Sequence, residues 1–357
     1  MTAAPSDGRE DPAPPEIPAP ELLRSLVARQ SLREEAARSL AEGIVRGSYT
    51  DLECAALLTA LAAKGETEVE VGAFARVFRE LATPFGAGAP EAIDLCGTGG
   101  APRPTFNVST LSAFVVAATG IPVAKHGNSS ARGPCGSSDF LEALGLPIRT
   151  SRKFAEESYR RERIAFLHAP LYHPAMRRVA PVRKALGVRT VFNLLGPLTN
   201  PAGVRRQVVG SFSREYAHLA TRVLRDLGAE RVGAAHGSDG SDEISPQAPS
   251  WVVTATRERE ETFEVRPEEL LLPAERRGPW DPVPPSQAAR TAEEVLSGAP
   301  GSVRGAVLLT SGTAIWVAGR APSVEEGVQV ARSVLDSGRP MEKLRALQRL
   351  AKEAPWE

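Results

Sequence analysis

Three short polar segments carry residue types whose spacing suits the handling of a phosphorylated ligand. The first, residues 94–110, reads DLCGTGGAPRPTFNVST. Gly97, Gly99 and Gly100 open the backbone so that N–H groups can approach a ligand closely. Asn107, Ser109 and Thr110 stand at the start of an apolar helical stretch, whose N-terminus adds unpaired donors and positive dipole. Together these make an anion site for a phosphate or pyrophosphate. Two familiar phosphate motifs do not fit: GK[ST] is missing, and Pro102 stands where GxGxxG needs its third glycine. The plain alternative is a tight strand-to-helix turn capped by Asn or Ser.

The second segment, residues 125–139, reads KHGNSSARGPCGSSD. Lys125 closes an apolar strand and can neutralise a phosphate as a point charge. Asn128 can hydrogen-bond an acceptor, and Ser137 can reach a phosphate oxygen. Alternatively, Lys125 merely solvates a strand end. The third segment, residues 236–245, is HGSDGSDEIS, in which adjacent Asp242 and Glu243 are hard oxygen ligands suited to Mg²⁺. Taken alone, such a pair is more often solvated surface charge. Parallel sheets gather ligand sites at the carboxyl ends of their strands, so the loops are expected to face one crevice.

The elements that must position these loops follow from apolar periodicity. Residues 21–83 carry apolar side chains at three- and four-residue spacing in ELLRSLVARQ, LREEAARSLAEGIVRG, LECAALLTALAAKG and VEVGAFARVFRELA, which predicts a small all-helical domain. Thr50 and Glu53 form a capping box opening the third of these helices, and Gly65 stops it. From about residue 89 short apolar runs (AIDLCG, IPVAKHG, IAFLHAP, RQVVGSF, RVGAAHG, SWVVTAT and RGAVLLTSG) read as strands. Helical stretches such as TLSAFVVAATG, EYAHLATRVLRDLG and VEEGVQVARSVLDSG fall between them. The alternation predicts a larger α/β domain with a mostly parallel central sheet flanked by helices. PAMRRVAPVRKALG and RTVFNLLGPL read as consecutive helices that interrupt it, and GPWDPVPPS reads as a surface loop. Residues 1–20, rich in Pro, Ala and acids, are expected to be a disordered tail.

Composition narrows the function. A length of 357 residues suits two domains. Lys+Arg and Asp+Glu both number 43, and a balanced charge argues against a general nucleic-acid binder. Cys54, Cys96 and Cys135 lie far apart without a CxxC pair, so neither a disulfide framework nor a structural zinc site is expected. No apolar run approaches the roughly 20 residues that span a bilayer, and the N-terminus has no signal-peptide pattern. A cytoplasmic location is expected.

GTGG…FNVST, KHGN…GSSD, HPAMRRVAPVRKALGVRTVFNLLGPLTNPA and HGSDGSDEIS, in this order, resemble the anthranilate phosphoribosyltransferase family, within the nucleoside phosphorylase group. The resemblance runs from about residue 21 to the end. It implies a helical domain over 21–87 to which residues 171–200 return, an α/β domain over 88–170 and 201–357, and a site in the cleft between them. It also implies a homodimer formed through the helical domains, and Mg²⁺ as cofactor. Gly97, Gly100, Ala101, Thr105, Asn107, Val108, Ser109, Thr110, Lys125, His126, Gly127, Asn128, Ser129 and Ser137 match the family's phosphoribosyl pyrophosphate site. Ser109, Asp242 and Glu243 match its metal ligands. Gly97, Asn128 and Arg183 match its anthranilate site, where the guanidinium fork of Arg183 suits a carboxylate. His126, His173 and Met176 match positions near the acceptor path.

The family usually reads GTGGDG where this chain has Ala101 and Pro102, and has Arg after KHGN where this chain has Ser129. Arg132 and Gly133 stand where serines are common. These departures keep other readings open: a divergent paralogue with another acceptor, a pyrimidine-nucleoside phosphorylase, or a non-catalytic binding protein.

Overall fold

Thr50 accepts a hydrogen bond from the Glu53 N–H at 3.3 Å, and the Glu53 carboxylate accepts one from the Thr50 N–H at 2.8 Å. This reciprocal box satisfies two donors that every helix start leaves unpaired. It opens a helix that ends at Gly65, as the sequence predicts. The computed structural model describes residues 16–98, 103–129, 133–353 and 355–356. The chain forms two compact units: a helical one that ends at Val77 and takes in Ala175–Val191, and a larger one made of Phe78–Pro174 and Phe192–Glu357.

The first helices are α1 (Ala19–Val27), α2 (Glu34–Arg46), α3 (Asp51–Lys64) and α4 (Glu68–Glu80). The expected tail falls outside the described residues up to residue 15. From Ile17 the chain is tied down, because its N–H donates to Ser39 Oγ and its carbonyl accepts from the Tyr49 hydroxyl. A fully buried carboxylate holds the far end of this unit. Glu70 accepts from the Leu32 and Thr67 N–H groups and pairs with the Lys64 ammonium at 2.9 Å.

The larger unit runs β1 (Ile93–Gly97), α5 (Val108–Ala118), β2 (Val123–Gly127), α6 (Ser137–Ala143), α7 (Arg152–Glu162), β3 (Ile164–His168) and α8 (Ala169–Tyr172). The chain then enters the helical unit as α9 (Met176–Leu186), which packs on α2 and α3. It returns as β4 (Arg206–Gly210), α10 (Arg214–Asp226), β5 (Arg231–Gly237), β6 (Ser250–Thr256), β7 (Glu260–Val265), α11 (Pro267–Leu270), α12 (Pro285–Leu296), α13 (Ser302–Val317), α14 (Val324–Asp336) and α15 (Arg339–Ala351). Among the described residues one sheet forms, in the order β3-β2-β1-β4-β5-β6-β7. Its first five strands in this order are parallel, and β6 and β7 close it antiparallel. The chain fills one side with β2 and β3 and then crosses to β4. The switch in direction therefore lies between β1 and β4, where open α/β sheets form their ligand crevice.

Three sequence expectations are corrected. RGAVLLTSG is not a strand but the middle of α13, buried almost all round. A short apolar run cannot distinguish a central strand from a fully buried helix. RTVFNLLGPL forms only two single 3₁₀ turns, Val191–Asn193 and Gly196–Leu198. The segment around residue 280 is irregular, as expected, but its Trp280 is buried in the core rather than displayed on the surface. Strand β7 and helices α6, α7, α12 and α15 were not foreseen.

Helix α5 is the central pillar, with ten of its residues buried, packed between the sheet and helices α13 and α15. Helix α13 in turn meets α14 at two glycines. A Cβ on Gly312 would lie 2.5 Å from Val328 Cγ2, and one on Gly327 would lie 2.2 Å from the Gly312 carbonyl oxygen. No side chain fits between these backbones. Gly327→Val is therefore expected to cost at least about 1–3 kcal/mol through overpacking, read as a lower midpoint of urea unfolding; an unchanged midpoint would show that the helices separate freely.

Candidate active site

The site is organised around an acid that sits inside the sheet. Asp94, second in β1, is fully buried. Its carboxylate accepts from the His126 N–H at 3.1 Å, from Asn200 Nδ2 at 2.8 Å and from Gln207 Nε2 at 3.3 Å. Burial pushes its pKa up to about 6, against the opposing pull of Lys125 and of these donors. Asn200 also donates to the Ala124 carbonyl and accepts from the Ala202 N–H. Gln207 reaches the Pro197 carbonyl at 2.6 Å. Strands β1, β2 and β4 and the stretch 196–202 are thus tied to one carboxylate.

Beyond Asp94 the carboxyl ends of β1, β2, β4 and β5 bring the three polar loops together. A Cβ on Gly97 would lie 3.7 Å from Asp242 Oδ2, and one on Gly210 would lie 2.0 Å from the Asp242 carbonyl oxygen. The acid loop therefore passes directly over the end of β4, where only glycine leaves room. The Thr98 N–H donates to the Gly210 carbonyl at 2.9 Å, fixing the exit of β1. Thr98 Oγ1 is buried and has no hydrogen-bond partner among the described residues, an unmet polar atom at the end of β1.

Lys125 does not solvate a strand end. It is 3% exposed, its ammonium donates to the Leu95 carbonyl at 2.6 Å, and its charge acts on both Asp94 and Glu243. Glu243 is also buried, and its pKa rises to about 8. Desolvation is the main cause and the charge of Asp242 the next; Lys125 and hydrogen bonds from the Ser109 N–H and hydroxyl oppose it. Two crowded acids, one lysine and one hydroxyl leave negative charge that a hard divalent cation would relieve. The donor set of Ser109, Asp242 and Glu243 fits Mg²⁺, which takes few protein oxygens and completes its shell with phosphate and water. Among the described residues no cluster of three or more His, Cys, Asp or Glu side chains offers an alternative metal site.

Helix α5 begins with its Ser109 N–H donating to Glu243 and its Val108 N–H to the Phe106 carbonyl. Asn107 is its N-cap, but its side chain makes no capping bond and instead donates to the Cys135 carbonyl at 3.3 Å, joining the first loop to the second. Val108 and Thr110 are buried. Thr105 is half-buried. In the second loop, Ser137 Oγ donates to the Asn128 carbonyl and accepts from the Asn128 N–H, which pins both ends together. Gly127 is required there, because a Cβ would lie 2.4 Å from Ser137 Oγ. Asn128 is exposed, with its Oδ1 accepting from the Ser129 N–H. Gly100 and Ala101 lie outside the described residues, as do Pro102 and Arg132.

Two imidazoles line the same end of β2. His126 Nδ1 contacts the Gly196 carbonyl at 3.0 Å, and its ring lies 5.1 Å from that of His173, which is bonded to the Thr199 carbonyl. Burial depresses their pKa values to about 3 and about 4, so both rings are neutral. Because the nitrogen facing a carbonyl must carry the proton, each Nε2 presents a lone pair, and each is buried without a partner. Arg183 and Met176 stand on α9 in the helical unit; Arg183 is half-buried, which lowers its pKa.

Sequence reasoning missed Asp94, Asn200, Gln207 and Gly210. An acid in the otherwise apolar run AIDLCG was the available signal for the first, since a charge there must be paired or hydrogen-bonded. Nothing local marked the other three, because their partners lie across the fold.

A parallel sheet with Gly97, a buried lysine and paired acids at its switch point suits an enzyme that acts on a phosphorylated substrate. Residues 89–341 match the glycosyl transferase family α/β domain, and residues 20–82 match the helical bundle domain of that family. The anthranilate phosphoribosyltransferase of Desulfosudis oleivorans is 42% identical over 91% of this chain and 96% of its own. That of Rubrobacter xylanophilus is 44% identical over 93% and 97%. The crystal structure of anthranilate phosphoribosyltransferase from Thermus thermophilus superposes with a TM-score of 0.84 at 38% identity, covering 93% of this chain and 99% of that one. The Saccharomyces cerevisiae enzyme, solved with phosphoribosyl pyrophosphate and Mg, shares the fold at a TM-score of 0.81 and 22% identity, over 94% of this chain and 98% of its own. This chain belongs to the anthranilate phosphoribosyltransferase family.

Because Asp94 offsets the buried charge of Lys125, Asp94→Ala should destabilise the protein by about 3–5 kcal/mol, the cost of leaving one member of a buried pair alone. Urea unfolding at pH 7.5 measures it, and a loss below about 1 kcal/mol, the worth of a surface pair, would remove Asp94 from its organising role.

Proposed function

We propose that this chain transfers the 5-phosphoribosyl group from phosphoribosyl pyrophosphate to the amine of anthranilate, giving N-(5-phosphoribosyl)anthranilate and pyrophosphate in tryptophan biosynthesis. The observation that carries the proposal is the meeting of Gly97, Ser109, Lys125, Asp242 and Glu243 at the switch point of the sheet. The reaction breaks the C1–O bond to pyrophosphate and forms a C1–N bond, with oxocarbenium character at the ribose between.

Ser109, Asp242 and Glu243 would hold Mg²⁺, which when bound neutralises the leaving pyrophosphate. Backbone donors at Gly97 and at the start of α5 would hold the phosphates, the Ser109 N–H passing to the ligand from Glu243. Thr98 Oγ1, unpaired in its pocket, is available to the same ligand. Lys125 offsets part of the negative charge of the site and has further ammonium donors to offer beside Leu95. Ser137 and Asn128 fix the second loop against the ligand. The acceptor is held by Asn128, Gly97 and Arg183, whose guanidinium suits the anthranilate carboxylate. His126 and His173, neutral through burial, stand near the acceptor path as packing residues. A strong general base is not needed, since that amine can release its proton after attack. Positioning of the two substrates supplies several kcal/mol, up to roughly 7–11 in favourable systems.

A homodimer formed through the helical unit belongs to the same proposal. Val27, Leu52, Val69 and Val188 are exposed on that unit. A cytoplasmic location is supported by three cysteines that remain free thiols. Among the described residues no helix is long and apolar enough to cross a membrane.

Purified protein with anthranilate, phosphoribosyl pyrophosphate and Mg²⁺ should extinguish anthranilate fluorescence; a constant signal at high enzyme concentration would overturn the activity. Asp242→Asn combined with Glu243→Gln should abolish Mg²⁺-dependent turnover, and wild-type rates in that variant would refute the metal ligands. Arg183→Ala should raise the KM for anthranilate by about tenfold to hundredfold through loss of a charge-assisted bidentate contact, with the KM for phosphoribosyl pyrophosphate little changed. Steady-state kinetics against each substrate separates the two.

A further inference from the structure

Arg103 stands two residues after Ala101, in the lead-in to α5, and is held by two other segments. Its guanidinium pairs with Asp239 Oδ2 at 2.6 Å, its N–H donates to the Gly240 carbonyl at 3.3 Å, and its backbone forms an isolated parallel bridge with Ser241. Its guanidinium carbon lies 5.2 Å from the centre of the Trp280 ring, within reach of a cation–π attraction. Trp280 is buried, and its carbonyl accepts from the Phe106 N–H at 2.8 Å. The lead-in to α5 is therefore fastened both to a fixed post at Trp280 and to the acid loop.

Asp239 carries the connection onward. Its Oδ1 accepts from the Ser241 N–H at 3.2 Å and hydroxyl at 2.8 Å, and its Oδ2 also accepts from the Ser245 hydroxyl at 2.9 Å. Ser241 Oγ lies 3.3 Å from the Glu243 carbonyl. One carboxylate thus shapes the whole turn that presents Asp242 and Glu243. Ser109, the third oxygen donor of the metal set, lies on the first turn of α5, just beyond Phe106. The distance from Ser109 to the acids is set across the span that Arg103 and Asp239 bridge.

We propose that Arg103 is a positioning residue: its clip to Asp239, braced on Trp280, holds Ser109 in register with Asp242 and Glu243 and so sets the affinity for magnesium phosphoribosyl pyrophosphate. The pair suits this role. It is only partly exposed, at 33% and 13%, so it is screened less than a surface pair. Among the described residues the partners of Arg103 are Asp239, Gly240, Ser241 and Trp280, none of them an acceptor residue. The inference rests on the phosphoribosyl transfer reading, because it assigns the affected ligand.

Arg103→Met keeps the apolar cover on Trp280 and removes the charge. Asp239→Asn keeps an acceptor for Ser241 and removes the partner charge. Each should raise the KM for phosphoribosyl pyrophosphate and the Mg²⁺ concentration for half-maximal rate by about tenfold, and the double variant should be no worse than either alone. The KM for anthranilate should stay the same, kcat should fall by less than about threefold, and Arg103→Lys should recover most of the affinity. Unchanged constants, additive losses in the double variant, or a parallel loss in all constants together with thermal stability would each overturn the clip. Calorimetric titration with magnesium phosphoribosyl pyrophosphate alone separates this outcome from failure of the parent reading. Wild-type protein that does not bind the compound overturns the transferase reading; wild type that binds it, with Arg103→Met binding equally well, overturns only the clip.

Discussion

A carboxylate buried inside a sheet must be given partners, and in this protein the partners of Asp94 dictate how the site is built. Three side-chain or backbone donors and one neighbouring ammonium come from β2, from β4 and from the stretch that precedes β4. Each arrives from a different part of the chain. Desolvation raises the acid's pKa to about 6 even with all of them present. Removing any one therefore strands a polar group in a medium where no water replaces it. The geometry of the crevice inherits this rigidity, because Gly97 lies three residues on from Asp94 and Lys125 sits beside it.

The electrostatics of the crevice continue the same theme. Asp94, Asp242 and Glu243 outnumber Lys125, and burial makes every excess charge costly. A site in this condition favours a cation and whatever anion comes with it. Its aromatic neighbours do the reverse: His126 and His173 are kept neutral by the same desolvation. Two neutral imidazoles thus stand beside the charged Lys125 at the carboxyl edge of the sheet.

Much of the fold was legible because local signals and tertiary demands agree. Thr50, Glu53 and Gly65 bound a helix by chemistry contained within a few residues. The six apolar runs read as strands up to SWVVTAT all lie in the sheet, where short buried strands alternate with amphipathic helices. Legibility failed where the environment rather than the residue decides. In α13 the run GAVLLTSG is apolar because it is buried all round, and no period survives to mark it as helical. In β7, residues 260–265 carry three glutamates that pair outward, so no apolar alternation announces an edge strand. The loop ends Gly97, Lys125, Asp242 and Glu243 were visible as chemistry, while their mutual distances were not. Asp239 and Trp280 looked like loop residues, since nothing nearby in the sequence shows what holds them.

Gly210 has a consequence for transplanting this chemistry. The acid loop rests its Asp242 carbonyl on the bare α-carbon of Gly210, closer than any methyl group permits. The two carboxylates are therefore not a portable motif of adjacent letters. A designer who grafts them onto another parallel-stranded scaffold must also bring a strand terminus stripped of its side chain, or the graft will ride high and miss its hydroxyl partner.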